Sequence, residues 1–227
     1  MKSTTLVASA VLIACLASAA GAQRGPSNGF IGVYSDPAGT ICCFNAAPGG
    51  QTTLYLIAVT NGATGSGITG AEFRVEVSAP AGYFFGYTAP AGTTTLGDPM
   101  DTTPGVADAK GLNVAYPSCR PVSNQMPGDH VDLGTVVVVN FGGGPTDLLV
   151  KRKYPGSSPI FLCPLFTLCD APAYTPVCAT LQEGDPALLG QEPVLFTAMM
   201  NKNCSGVTCG FVPVAPATWS SIKEMYR

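Results

Sequence analysis

The stretch from Gly67 to Val77, Gly-Ile-Thr-Gly-Ala-Glu-Phe-Arg-Val-Glu-Val, constrains the fold more than any other part of the chain. Ala71, Phe73, Val75 and Val77 alternate with Glu72, Arg74 and Glu76. Successive side chains of a β-strand point to opposite faces, so this run makes a strand with one apolar face and one wet, charged face. That pattern belongs to an antiparallel sheet covered on one side only. The rest of the chain is expected to supply the strands that complete this sheet and cover its apolar face.

Composition agrees with many short strands. Only 11% of the 227 residues are charged, against roughly 25% in ordinary soluble domains. Glycine (27) and proline (20) are abundant while aliphatic content stays high, which points to turns between apolar strands rather than to disorder. The formal net charge of -3 is too mild for a nucleic-acid or anionic-membrane partner. At the N-terminus, Lys2 precedes an apolar run from Leu6 to Ala20, and Ala20-Gly21-Ala22 has the small-x-small form of a cleavage site. Residues 1–22 are therefore expected to be a secretory signal peptide. The competing reading is a bacterial lipobox, Leu12-Ile13-Ala14-Cys15, with a lipid on Cys15. No later run approaches the ~20 apolar residues of a membrane span. The mature protein is expected to be secreted, periplasmic or at the cell surface.

Residues 23–212 are expected to form one β-sandwich domain. Phe30 to Tyr34 and Thr40 to Phe44 read as short strands. Thr52 to Thr60 is a longer one, with Leu54, Leu56 and Ala58 on one face. A Gly-rich loop then leads to the Gly67–Val77 strand, and the two are expected to be antiparallel neighbours. Tyr83 to Tyr87 is an aromatic strand, and Thr88 to Lys110 an excursion of little periodicity. Gly111 to Tyr116 is a strand. Val131 to Phe141 carries Val136 to Val139 in succession, as expected of a central strand buried on both faces. Asp147 to Tyr154 is a strand whose end, Lys151-Arg152-Lys153, is expected to emerge into water. Pro159 to Cys178 reads as irregular, and Pro193 to Met200 as a further strand. Residues 213–227 form a Pro-rich spacer and a short C-terminal helix capped by Thr218. Its Trp219, Ile222 and Tyr226 would either pack on the sandwich or serve as a tail recognised by export or surface-attachment machinery.

Nine cysteines are too many for an ordinary cytosolic protein. Without Cys15, eight remain: Cys42, Cys43, Cys119, Cys163, Cys169, Cys178, Cys204 and Cys209. An even count in an exported chain implies disulfides, whose connectivity cannot be deduced from spacing. Local closure suggests Cys204 with Cys209 and Cys169 with Cys178. Cys42 and Cys43 point oppositely on a strand, so each is expected to seek a distant partner, with Cys119 and Cys163 the candidates.

Residues able to carry chemistry are sparse. His130 is the single histidine, and the chain has no nucleophile elbow, zinc-protease or phosphate-loop motif. Glu72 and Glu76 share a strand face and are the candidates for a glycosidase pair. Asp98 with Asp101, and Asp129 with Asp132, could supply oxygens to calcium; no other cofactor is suggested. Tyr83, Phe85 and Tyr87 share one strand face, and an exposed row of this kind stacks on sugar rings, whereas a buried one is core. Asn203-Cys204-Ser205 is a glycosylation sequon.

The order of features resembles secreted β-sandwich modules of the cohesin and carbohydrate-binding type. The resemblance rests on Pro48 to Leu56, Gly67 to Val75, Gly111 to Tyr116 and Asp132 to Val138, about half the chain. The tail Trp219-x-x-Ile222-Lys223-x-x-Tyr226-Arg227 also resembles the C-termini of uncharacterised exported bacterial proteins. The resemblance implies an antiparallel sandwich of Ig, cohesin or jelly-roll type and a non-catalytic structural, adhesive or ligand-binding role at the cell envelope or beyond it. A glycan or another envelope protein is the expected partner. A carbohydrate-binding module built on Tyr83 to Tyr87 is the alternative, and a glycoside hydrolase the third reading.

Overall fold

The computed structural model describes residues 29–60, 67–103, 110–121, 130–157, 163–170, 173, 176–179 and 196–205. In chain order the strands are β1 (Gly29–Tyr34), β2 (Cys43–Phe44), β3 (Gln51–Thr60), β4 (Ile68–Val77), β5 (Tyr83–Thr88), β6 (Thr94–Asp98) and β7 (Met100–Asp101). They continue with β8 (Gly111–Arg120), β9 (His130–Asn140), β10 (Thr146–Lys151), β11 (Leu165–Leu168), β12 (Pro176–Cys178) and β13 (Phe196–Met200). No helix occurs among the described residues. The expected signal peptide, Cys15, Asp129, Cys209 and the tail with Trp219, Ile222 and Tyr226 lie outside them.

The strands make two sheets. One has four strands in the order β1-β3-β9-β5. The other has nine, with the path β12-β11-β4-β10-β13-β2 and with β7, β8 and β6 attached around β4. Most pairings are antiparallel, but β4–β7 and β13–β2 are parallel, so the second sheet is mixed. β4 organises this sheet: its first half pairs with β8 and β11, and its second half with β10 and β7. Ala71, Phe73, Val75 and Val77 are buried, as the alternation requires, and meet Leu54, Leu56, Val136 and Val138 of the first sheet in one core.

Several expectations are corrected. β3 and β4 are not neighbours: β3 lies between β1 and β9, and the chain crosses to the other sheet before β4. β9 is interior to its sheet, yet Val137 and Val139 are only half-buried because the outward face of this sheet is open along β9 and β5, though not at β1. The excursion after Thr88 contains β6 and β7. β6 is exposed at every position and is held by backbone pairing to β8, so it carries no hydrophobic period. The Cys- and Pro-rich stretch contains β11 and β12.

The disulfides overturn the local pairings. Cys43 bonds Cys204, Cys119 bonds Cys169, and Cys163 bonds Cys178. Cys42 is also oxidised. Cys43–Cys204 fastens β2 beside the end of β13, where Met200 and Phe44 pair, and so links residues 161 apart in sequence. The two neighbouring cysteines do seek different partners, but neither Cys119 nor Cys163 is the partner of Cys43.

Candidate functional site

Among the described residues β5 has one partner strand, β9, and is an edge of the four-stranded sheet. Tyr83, Phe85 and Tyr87 stand opposite Asn140, Val138 and Val136, so they share the face that bears the buried valines. They face the core at the point where it opens, and each is half-buried. The expected row is therefore neither free platform nor full core.

The two tyrosines are held by their hydroxyls. The Tyr83 hydroxyl donates to Gly144 O and accepts from Asn201 Nδ2 at 2.8 Å. Its ring lies over Gly143, where a Cβ would come within 2.2 Å of it. Asn201 has φ 56° and also accepts from Ala46 N at 2.8 Å, while buried Asn140 donates to Ala46 O at 2.7 Å and accepts from Gly142 N and Gly143 N. The two asparagines and Tyr83 thus tie one end of the sandwich shut. Tyr87 donates to Leu133 O at 2.9 Å, and burial, then the Asp132 and Asp98 carboxylates, push its phenol above the ordinary tyrosine value. Phe85 lies 6.1 Å from Tyr83, centroid to centroid, tilted 42°.

Across from β5 stands the β6–β7 corner. Asp98 Oδ1 accepts from Met100 N at 2.8 Å, an Asx turn that fixes the corner before Thr102. Between the strand edge and this corner lies a cavity of about 530 Å³, with Tyr83, Phe84 and Phe85 on one side and Asp98, Met100 and Thr102 on the other. A further cavity of about 230 Å³ shares Asp98, Met100 and Thr102 and ends at Asp101 and Lys110. Together they form a groove with an aromatic end and an ionic end. Lys110 Nζ sits 2.8 Å from Asp101, and Arg74 approaches the same carboxylate at 3.7 Å. Tyr87 is not among the residues lining the groove.

The remaining candidates are placed elsewhere. Glu76 is paired with Lys151 at 2.9 Å and Arg74 at 3.5 Å, and Glu72 accepts from the Ser157 amide and hydroxyl and from Asn113 Nδ2. The charged face of β4 is thus shielded rather than wet: Glu72 and Arg74 are 7% and 9% exposed. Lys151, expected in water, is part of this network. Asp98 and Asp101 line the groove, with Asp101 taken up by two cations and Asp98 by the Asx turn. Asp132 Oδ1 accepts from Gly134 N. No group of three His, Cys, Asp or Glu side chains suited to a metal occurs among the described residues. His130 begins β9 opposite Val59, away from the groove. Asn203 is exposed, and Cys204 beside it is in a disulfide. Sequence reading missed Thr102 and Lys110 as groove residues and Ser157 as the partner of Glu72. The only signal for the corner was its Asp-Pro-x-Asp spacing.

No protein-family model matches the sequence, and no curated protein matches it. Among solved structures, a cohesin module from a Clostridium perfringens family 33 glycoside hydrolase is similar, with a TM-score of 0.42 and 12% identity over 78% of this chain and 99% of that one. The likeness is too distant to bear on ligand or partner. No helix among the described residues is long and apolar enough to cross a membrane.

Proposed function

We propose that this protein is an exported, non-catalytic β-sandwich that binds a ligand in the groove beside β5, with a glycan the favoured ligand class. The observation that carries the reading is the groove itself: Tyr83, Phe84 and Phe85 line one side of a cavity of about 530 Å³, and Asp98 and Thr102 line the other. Aromatic faces stack on the apolar faces of sugar rings, and Asp98 Oδ2, the oxygen the Asx turn does not use, and the Thr102 hydroxyl would exchange hydrogen bonds with sugar hydroxyls. Export is supported by the oxidation of Cys42, Cys43, Cys119, Cys163, Cys169, Cys178 and Cys204, since disulfides persist in oxidising compartments. The absence of catalysis is supported by Glu72 and Glu76, each held in its own structural contacts rather than facing its fellow across a cleft.

The test is a glycan array on the oxidised full chain, followed by calorimetry on any ligand found. Phe84→Ala and Thr102→Ala should each weaken binding while leaving the fold intact, because Phe84 is 57% exposed and Thr102 is also exposed. An array with no binder, or Phe84→Ala binding as well as the parent, sinks the glycan reading. Turnover of a polysaccharide that is lost in Glu72→Gln or Glu76→Gln sinks the non-catalytic one.

A further inference from the structure

A second concavity of about 530 Å³ lies against β4, β8, β11 and β12, separate from the groove beside β5. Gly70 is among its lining residues; a Cβ there would fall 2.8 Å from Val114 O, so this part of the wall is bare backbone. Leu165, Pro176 and the exposed Ala115 supply apolar wall. The polar side is formed by Glu72, Asn113 and Ser157.

Glu72 is a buried carboxylate with no cationic partner among the described residues. Its neighbour on the same strand face, Arg74, is turned to Glu76 and Asp101. The hydrogen bonds to Glu72 fall unevenly. Among the described residues, Oε2 receives Ser157 N, Ser157 Oγ and Asn113 Nδ2, whereas Oε1 receives only Ser157 N at 3.0 Å. A carboxylate offers about four acceptor sites, so Oε1 retains capacity. The same contacts orient Asn113: Nδ2 donates to Glu72 and Ser157, which leaves Oδ1, a buried oxygen with no hydrogen-bond partner among the described residues. A buried charge without a counter-ion and a buried acceptor without a donor are both costly. One ligand group relieves both.

We propose that this pocket binds an organic cation, an ammonium or guanidinium group on an aliphatic stem. The head donates to Glu72 Oε1 and Asn113 Oδ1, and the stem lies along Leu165 and Pro176. Charge-assisted hydrogen bonds in a shielded site are the strong ones, and alkyl stems cover apolar wall. The chemistry is shared by a free amine and by a lysine or arginine side chain of a partner protein. This inference does not rest on the glycan reading.

The test is two-dimensional NMR of the oxidised full chain, titrated with n-butylammonium, with N-acetyl-lysine methylamide and, as the uncharged control, with n-butanol. Saturable shifts at the amides of Glu72, Asn113 and Ser157 are expected with the two cations and not with butanol. Tighter binding of the lysine derivative than of the free amine identifies a protein side chain as the source, and the reverse order a free amine. Glu72→Gln should weaken cation binding at least about tenfold. Should that variant fail to fold, Ala115→Trp fills the pocket from an exposed position and should abolish the shifts with Glu72 intact. Phe84→Ala should leave them unchanged. Equal response to butanol and butylammonium, no response to either cation at tens of millimolar, or full binding by Ala115→Trp overturns the proposal.

Discussion

The outward faces of β4 and of β5 with β9 invert the usual expectation. On β4 the residues that point away from the core are Glu72, Arg74 and Glu76, and they are largely shut off from water. On β5 and β9, Phe84 stands opposite Val139, with Phe141 just beyond the end of β9 on the same side. These two phenylalanines are 57% and 73% exposed. Ions are sheltered on one sheet and rings exposed on the other. The difference comes from what lies across each face. On β4, Glu76 is directly opposite Asp101, a like-charge pair that is unfavourable by itself. Arg74, Lys110 and Lys151 interleave with the two acids and turn the clash into a network. Beside β5 nothing comparable among the described residues covers Phe84, and the groove opens there. Polarity therefore marks which residues share a face; it does not say which face meets solvent.

The sharpest way to break this contrast is to remove matched rings from the two sheets. Phe73→Ala, inside the core, should cost about 3–5 kcal/mol by urea unfolding. Phe84→Ala should stay within about 0.5 kcal/mol of the parent. Equal losses would mean that Phe84 is core. The next contrast concerns ions. Asp101 is 4% exposed and serves both Lys110 and Arg74, so Asp101→Ala should cost about 3 kcal/mol by taking the carboxylate partner from a shielded Lys110 and weakening the network around Arg74. Asp147→Ala breaks the more open pair with Lys202, at 2.6 Å, and should cost no more than about 1 kcal/mol. If the two variants are equally stable, the β4 network is not shielded.

A third expectation follows from the phenols. Burial raises Tyr34, Tyr87 and Tyr116, with Asp36 adding to the first and Asp132 to the other two. An unfolded tyrosine ionises near 10. Below that pH the folded and unfolded phenols are both neutral and stability is undiminished. Above it the unfolded chain sheds protons that the folded chain keeps, so stability falls as pH rises toward the folded value. Phenolate absorbance should therefore show one class of tyrosines that ionises only with unfolding; free titration of all eight at pH 10 in folded protein would contradict it. The smallest expected effect is at the open face: Phe141→Ser should reduce binding of a hydrophobic dye with stability changed by about 0.5 kcal/mol or less.

Much of the fold was legible because period-two alternation is a local property. The buried face of β4 and the course of β3 could be read from it, whereas the valine strand β9 was visible from its continuous β-branched run, which gave its place in the sheet but not its half-open face. What escaped was non-local. Ser157, Lys110 and Lys151 reach the charged face from distant parts of the chain, so no window around Glu72 reveals that it is sheltered. β6 lacks any apolar face, and β11–β12 is obscured by cysteines and prolines. Cys43 and Cys204 become neighbours only because β2 and β13 pair. At the candidate site the aromatic strand was visible in the sequence, but its facing wall, Asp98 to Thr102, is the corner made by the end of β6, the two-residue β7 and the residue after it, with no hydrophobic period.

Hydroxyl-radical footprinting of the oxidised full chain tests the inverted faces most directly, because it reads ring exposure one residue at a time. Phe84 and Phe141 should be modified fastest, Tyr83 and Phe85 at an intermediate rate, and Phe73 and Tyr34 only upon unfolding. Rapid modification of Phe73 in the folded protein, or protection of Phe84 equal to that of Phe73, would contradict the account.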